Sequence, residues 1–139
     1  MNVAVHASAA ARNGAGVLIL GAPGAGKSDL LLRLIHGGFD LVADDQVQIA
    51  AGVASAPAIL AGLIEVRGLG LLRLPHVSAR LVLVVELGFG ERLPEARRYD
   101  DLDLPMISVD GGAASAPHRI AMALDCLSGK IPMVAGAFV

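Results

Sequence analysis

The sequence has one cysteine, no tryptophan, one tyrosine and three phenylalanines. A lone Cys126 cannot close an internal disulfide and has no clustered partners for a zinc site, which fits a reducing compartment and a place in a core or helix. Charge is also scarce: 17% of residues are charged, the net charge is −2, and only Arg97 and Arg98 stand side by side among the basic residues. A nucleic-acid partner is therefore excluded for want of a cationic footprint. Mean hydropathy is +0.65, yet no apolar run reaches the roughly 18 residues of a spanning helix. The stretch Met1 to Asn13 lacks the basic start of a secretory signal, so the expected location is the cytoplasm, with no membrane partner. Repeats, long linkers and low-complexity tracts beyond Ala-rich stretches are absent too.

What remains is aliphatic. Hydrophobic residues make up 55% of the 139, mostly Ala, Leu and Val, with 17 glycines between them. That composition predicts one domain over 1–139 with an aliphatic core and tightly turned backbone.

Ala15 to Leu20 is a continuous apolar run between Gly14 and Gly21, the pattern of a strand buried on both faces. Lys27 to His36 (KSDLLLRLIH) has an acid in its first turn and a basic end before Gly37-Gly38, which predicts a helix of about three turns. Phe39 to Ala43 reads as a second strand ending in Asp44-Asp45, continued by a half-exposed Gln46 to Ala50. Ala51 to Ala58 reads as a turn, Leu60 to Val66 and Gly70 to Leu74 as short strands, and Arg80 to Glu86 as the strongest strand of the second half. Gly88 to Pro94 follows as a loop, then a strand at Met106 to Val109, a helix at Pro117 to Leu127 and a frayed end from Pro132 to Val139. Strands joined partly by helices and partly by tight turns predict an α/β fold with a mixed sheet and few helices.

Gly21-Ala22-Pro23-Gly24-Ala25-Gly26-Lys27-Ser28 matches the phosphate-loop (Walker A) pattern in full and lies between a predicted strand and a predicted helix. The mechanism needs that context: glycines let backbone N–H groups face phosphates, the helix terminus adds partial positive charge, Lys27 pairs with β- and γ-phosphates, and Ser28 offers a hydroxyl to Mg²⁺. The expected ligands are ATP and Mg²⁺.

Other residues qualify by position. Asp44 and Asp45 point to opposite sides if the strand continues, unless a bulge at the strand end turns both inward; a carboxylate there can accept a proton from an attacking hydroxyl or help hold the metal. Glu65 lies in an apolar strand before Arg67 and is either a second metal ligand or the partner of Arg67 on one strand face. Glu86 closes a strand as a Walker B acid does and competes with Asp45 for that role. His6 precedes the first strand and can approach from the loop side, or it is an exposed terminal histidine. His36 suits the helix dipole, and His76 and His118 have no evident partners. Arg92 can neutralise transition-state charge from its loop or simply be solvated.

Taken together, GAPGAGKSDLLLRLIHGGFDLVADDQVQI and LIEVRGLGLLRLP resemble the catalytic domain of HPr kinase/phosphorylase, well over Val5 to Pro75 and more loosely to about Leu127. The resemblance implies a nucleotide-binding core like that of phosphoenolpyruvate carboxykinase. It implies phosphorylation of a serine of HPr, a phosphocarrier of the sugar phosphotransferase system, with ATP and Mg²⁺, and removal of that phosphate with inorganic phosphate. It further implies His6 in the acid-base centre, Lys27 on phosphate, Asp45 accepting or returning the serine proton with Asp44 beside it, Mg²⁺ on Ser28 and Glu65, Arg92 of GERLP as catalytic arginine, and a hexamer. Three features depart from the pattern. The additional N-terminal domain of typical members has no counterpart, as in the short form resembling those of alphaproteobacteria. Ala22-Pro23 stands where many members have Asp-Ser, and SVDGGAASAP (Ser108 to Pro117) replaces a basic Pro-Arg-Pro-Gly stretch linked to dephosphorylation. Two other classes fit parts of the sequence: a small-molecule kinase, though no Arg-rich lid follows the core strands, and a non-catalytic nucleotide-binding regulator.

Overall fold

A computed structural model describes residues 2–139. Eleven strands and two helices follow one another as Asn2–Val5 (β1), Ser8–Arg12 (β2), Ala15–Leu20 (β3), Lys27–His36 (α1), Asp40–Ala43 (β4), Val47–Ala50 (β5), Val53–Ser55 (β6), Leu63–Val66 (β7), Gly70–Arg73 (β8), Ala79–Leu87 (β9), Arg97–Tyr99 (β10), Leu104–Val109 (β11) and Ala116–Leu127 (α2). Nine strands form one sheet in the order β1-β5-β6-β9-β3-β2-β4, with β11 on β9 and β10 on β11; β7 and β8 make a separate hairpin. The sheet is mixed: β3, β9 and β11 are parallel, and the remaining neighbours antiparallel.

The long β9 organises this sheet. Its start, Ala79 and Arg80, pairs with β6, while Val84 to Leu87 pairs with β11 along the same edge. The sheet splits there, so β6, β5 and β1 diverge from β11 and β10. Strand β3 is buried on both faces, as its unbroken apolar run demands. Val17 and Ile19 face Leu30, Leu31 and Leu34 of α1 and Ile120 and Leu124 of α2. Leu18 faces the other way, into a second cluster with Val42, Val47, Ile49 and Val84. The neighbouring β2 (SAAAR) is buried between β3 and β4. Ala10 lies between Val17 of β3 and Leu41 of β4, and Ala9 pairs with Leu18, so small side chains stand beside larger ones there.

Several boundaries differ from the sequence reading. Strands β1, β2 and β10 were not expected, and the expected turn from Ala51 to Ala58 contains β6. Leu60 does not begin a strand; Ala58–Leu60 is a 3₁₀ turn leading to Gly62, and the strand starts at Leu63. The final segment is not frayed: Ala137 is buried and Phe138 packs on the main cluster. The expected placements of β3, α1, β4, β5, β8, β9, β11 and α2 agree within a few residues. No helix among the described residues is long and apolar enough to cross a membrane.

Candidate functional site

The Gly21–Ser28 segment joins the end of β3 to the start of α1. Gly24 and Gly26 have φ of +82° and +97°, a left-handed conformation that L side chains rarely adopt, so the glycines are required by conformation. Gly26 is also the N-cap of α1 and supplies no side-chain cap. The first N–H groups of the helix therefore remain available to an anion. Lys27 is only 8% exposed, and its Nζ donates to the carbonyl oxygens of Gly21 at 2.8 Å and Ala22 at 3.4 Å. The loop thus holds its own ammonium in place, while Ala22, Pro23, Gly24 and Ala25 form an exposed rim.

Ser8 and Asp44 meet Ser28 at the end of this loop, and His6 faces the adjacent Asp45. The Ser28 hydroxyl donates to the Asp44 carboxylate, at 2.9 Å to Oδ1 and 3.1 Å to Oδ2. The Ser8 hydroxyl donates to the same Oδ1 at 2.8 Å from a residue 1% exposed. Asp45 turns away from Asp44, because its own φ is +70°, a strained position that Asp tolerates better than most residues. Its Oδ1 lies 3.4 Å from Nε2 of His6, and both side chains are more than half exposed. The two backbones are stitched together as well: the Ala7 N–H donates to the Asp45 carbonyl at 3.2 Å. The pairing of β2 with β4 is irregular just before the aspartates, between Ala9 and Ala10, and the left-handed Asp45 gives the two carboxylates separate partners.

The carboxylate bonded to the Ser28 hydroxyl is accordingly that of Asp44. Glu86 pairs in register with Leu20, the residue before the loop, and its Oε1 lies 3.6 Å from Arg97 Nη2, which also donates to Ser108 Oγ at 3.0 Å. Glu65 is exposed on β7, whose hairpin turn continues through Arg67 to Leu69; among the described residues it forms no ion pair with Arg67 and no hydrogen bond with Ser28. Arg92 is exposed in the connection between β9 and β10, with no ion pair among the described residues. His36, His76 and His118 lie outside the cluster, all exposed. Ser8 was missed by sequence reasoning; the only hint was a polar residue opening an alanine strand two positions after His6.

The oxygen donors suit Mg²⁺. No group of three or more His, Cys, Asp and Glu side chains able to hold a metal occurs among the described residues, but Mg²⁺ needs only one or two protein oxygens when phosphates supply others. Ser28 Oγ and the Asp44 carboxylate, in contact at the lip of the loop, are such a pair.

Residues 1–87 match the family model described as the HPr Serine kinase C-terminal domain. The chain is 34% identical over 128 residues to an HPr kinase/phosphorylase of Geobacillus thermodenitrificans, covering 76% of this chain and 41% of that protein. It is 35% identical over 121 residues to one of Listeria welshimeri, covering 69% and 38%. The chain thus spans about two-fifths of the length of these relatives. Among solved structures, the Hpr(Ser) kinase/phosphatase from Coxiella burnetii has the same fold, with a TM-score of 0.75 over 92% of both chains at 24% identity. By the match over 1–87 and these relatives, the chain belongs to the HPr serine kinase C-terminal domain family.

Proposed function

We propose that residues 1–139 form one catalytic unit that phosphorylates a serine of HPr or a related phosphocarrier, using ATP and Mg²⁺. The names of the relatives, HPr kinase/phosphorylase, support the acceptor class. The observation that carries the reading is the bond of Asp44 to Ser28 at the end of the Gly21–Ser28 loop, with the adjacent Asp45 facing His6. The core is read as a phosphate-loop fold of the phosphoenolpyruvate carboxykinase kind, with cytoplasmic location and a homo-oligomer, a hexamer by family resemblance.

In this reading the backbone N–H groups of Gly21 to Gly26 and the N-terminus of α1 hold the β- and γ-phosphates, and Lys27 faces them from the floor of the loop. Mg²⁺, held by Ser28 and Asp44, would neutralise phosphate charge when bound. Glu65 remains a proposed further ligand from the β7-β8 hairpin. The acceptor serine Oγ attacks the γ-phosphorus, the bond to the β-phosphate oxygen breaks, and ADP departs. Asp45 takes the serine proton, with His6 Nε2 at 3.4 Å orienting its carboxylate. Arg92 is the proposed charge-neutralising arginine. Run with inorganic phosphate as acceptor, the same groups return the proton to serine and form pyrophosphate.

Labelled ATP with Mg²⁺, offered in parallel an HPr-like protein, a panel of phosphorylatable metabolites, or no acceptor, separates the readings. Label on HPr supports the proposal. Label on a metabolite alone indicates a small-molecule kinase, and tight ATP binding with no transfer indicates a nucleotide-binding regulator.

A further inference from the structure

The turn after β11 is clamped to the helix that carries the loop. On α1, Arg33 Nη1 donates to the Ala113 carbonyl at 3.0 Å, Nη2 donates to the Gly111 carbonyl, and Nε donates to Asp29 at 3.1 Å. The two carbonyls lie 80 and 78 residues away in sequence. Gly111 is buried, and a Cβ there would stand 3.2 Å from Leu87 Cδ1 and 3.5 Å from the Ala25 carbonyl oxygen. Leu87 in turn abuts Gly21, where a Cβ would meet Leu87 at 3.3 Å and Ala25 at 3.2 Å. Asp110 fixes the same turn by accepting the Gly112 N–H at 2.9 Å.

We propose that Arg33 is a positioning residue for triphosphate binding: its guanidinium pulls the Gly111–Ala113 turn against Ala25 and Leu87, and this buttress holds the phosphate loop in its binding shape. The inference rests on the phosphate-loop reading above. It assigns a role to the SVDGGAASAP segment, which departs from the family pattern in sequence. The guanidinium fork is needed because one planar group must reach two divergent carbonyls, which an ammonium does not do in the same geometry. Loop N–H groups bind an anion well only when already oriented, so a loosened buttress weakens binding.

Calorimetric titration with inorganic pyrophosphate, and separately with MgATP, tests this on wild type, Arg33→Ala, Arg33→Lys, Gly111→Ala and Asp29→Asn. Loss of folded protein lowers the stoichiometry and leaves Kd unchanged, whereas loss of positioning raises Kd at full stoichiometry. The expected result is a Kd raised about tenfold in Arg33→Ala, the scale of a lost charge-assisted hydrogen bond, raised in Gly111→Ala by the crowding of its Cβ against Leu87, raised less than in Arg33→Ala in Arg33→Lys, and unchanged within about twofold in Asp29→Asn. Unchanged Kd values in the Arg33 and Gly111 variants, or reduced stoichiometry alone, overturn the buttress. Wild type binding neither probe overturns the phosphate-loop reading and the buttress with it.

Discussion

Replacing Asp44 separates its structural from its chemical role. Its Oδ1 accepts hydrogen bonds from two hydroxyls, one on the exposed Ser28 and one on Ser8, which is 1% exposed. In Asp44→Ala the Ser8 hydroxyl keeps its burial and loses its acceptor, which costs about 1–3 kcal/mol. In Asp44→Asn the amide oxygen still accepts, so only the charge assistance is lost, about 1 kcal/mol or less. Ser8→Ala removes the stranded donor, so Ser8→Ala with Asp44→Ala should be less destabilised than the sum of the two. Urea unfolding of the four members of this cycle should give a coupling of about 1–2 kcal/mol, within the range for groups in direct contact. Asp44→Asn should nevertheless lose Mg²⁺-dependent ATP binding as fully as Asp44→Ala. Additivity within about 0.3 kcal/mol would refute the hydrogen bond, and Mg²⁺-dependent binding retained by Asp44→Asn would refute the metal assignment.

Other expectations follow from single positions. Gly62 has φ +76°, and a Cβ there would meet the Leu74 carbonyl oxygen at 2.6 Å and His76 Nδ1 at 2.9 Å; Gly62→Ala should lose about 2 kcal/mol or more in urea unfolding, and wild-type stability would show that the turn is free to move. Tyr99 is the only tyrosine and no tryptophan obscures it, so ultraviolet titration reads one phenol. Burial first, and then the Asp101 carboxylate, push its ionisation above the ordinary tyrosine value. Because the folded state keeps the proton longer than the unfolded chain, this contribution to stability is complete below the unfolded value of 10.0 and fades as pH rises through the folded one. Asp101→Asn should move the titration downward, and an unchanged midpoint would count against the pairing.

The centre of the fold was legible because its punctuation is strong. Gly14 and Gly21 bound β3, Gly37-Gly38 stop α1, and the paired aspartates end β4. The first twelve residues were not, because alanine carries little strand preference; β2 is a strand only because β3 and β4 enclose it. β10 was hidden by its charges: Arg98 pairs with Asp103 across the turn to β11, a contact between partners that strand patterning does not reveal. In the site, adjacency alone left the directions of Asp44 and Asp45 open, and the positive φ of Asp45 settles them. Ser8 could not be found from sequence, since its role depends on β2 lying beside β4. The Arg33 contacts to Gly111 and Ala113 likewise span about eighty residues and have no sequence motif.

The central claim is that Asp45 handles the proton of a protein serine beside a phosphate loop. Its most direct test is transfer of the γ-phosphate of labelled ATP, with Mg²⁺, to an HPr-like protein by wild type and Asp45→Asn, followed by addition of inorganic phosphate. The account predicts labelled serine with wild type, a loss of at least about a hundredfold in rate with Asp45→Asn at unchanged ATP affinity, and release of the label as pyrophosphate when phosphate is added. Equal labelling by wild type and Asp45→Asn would contradict it.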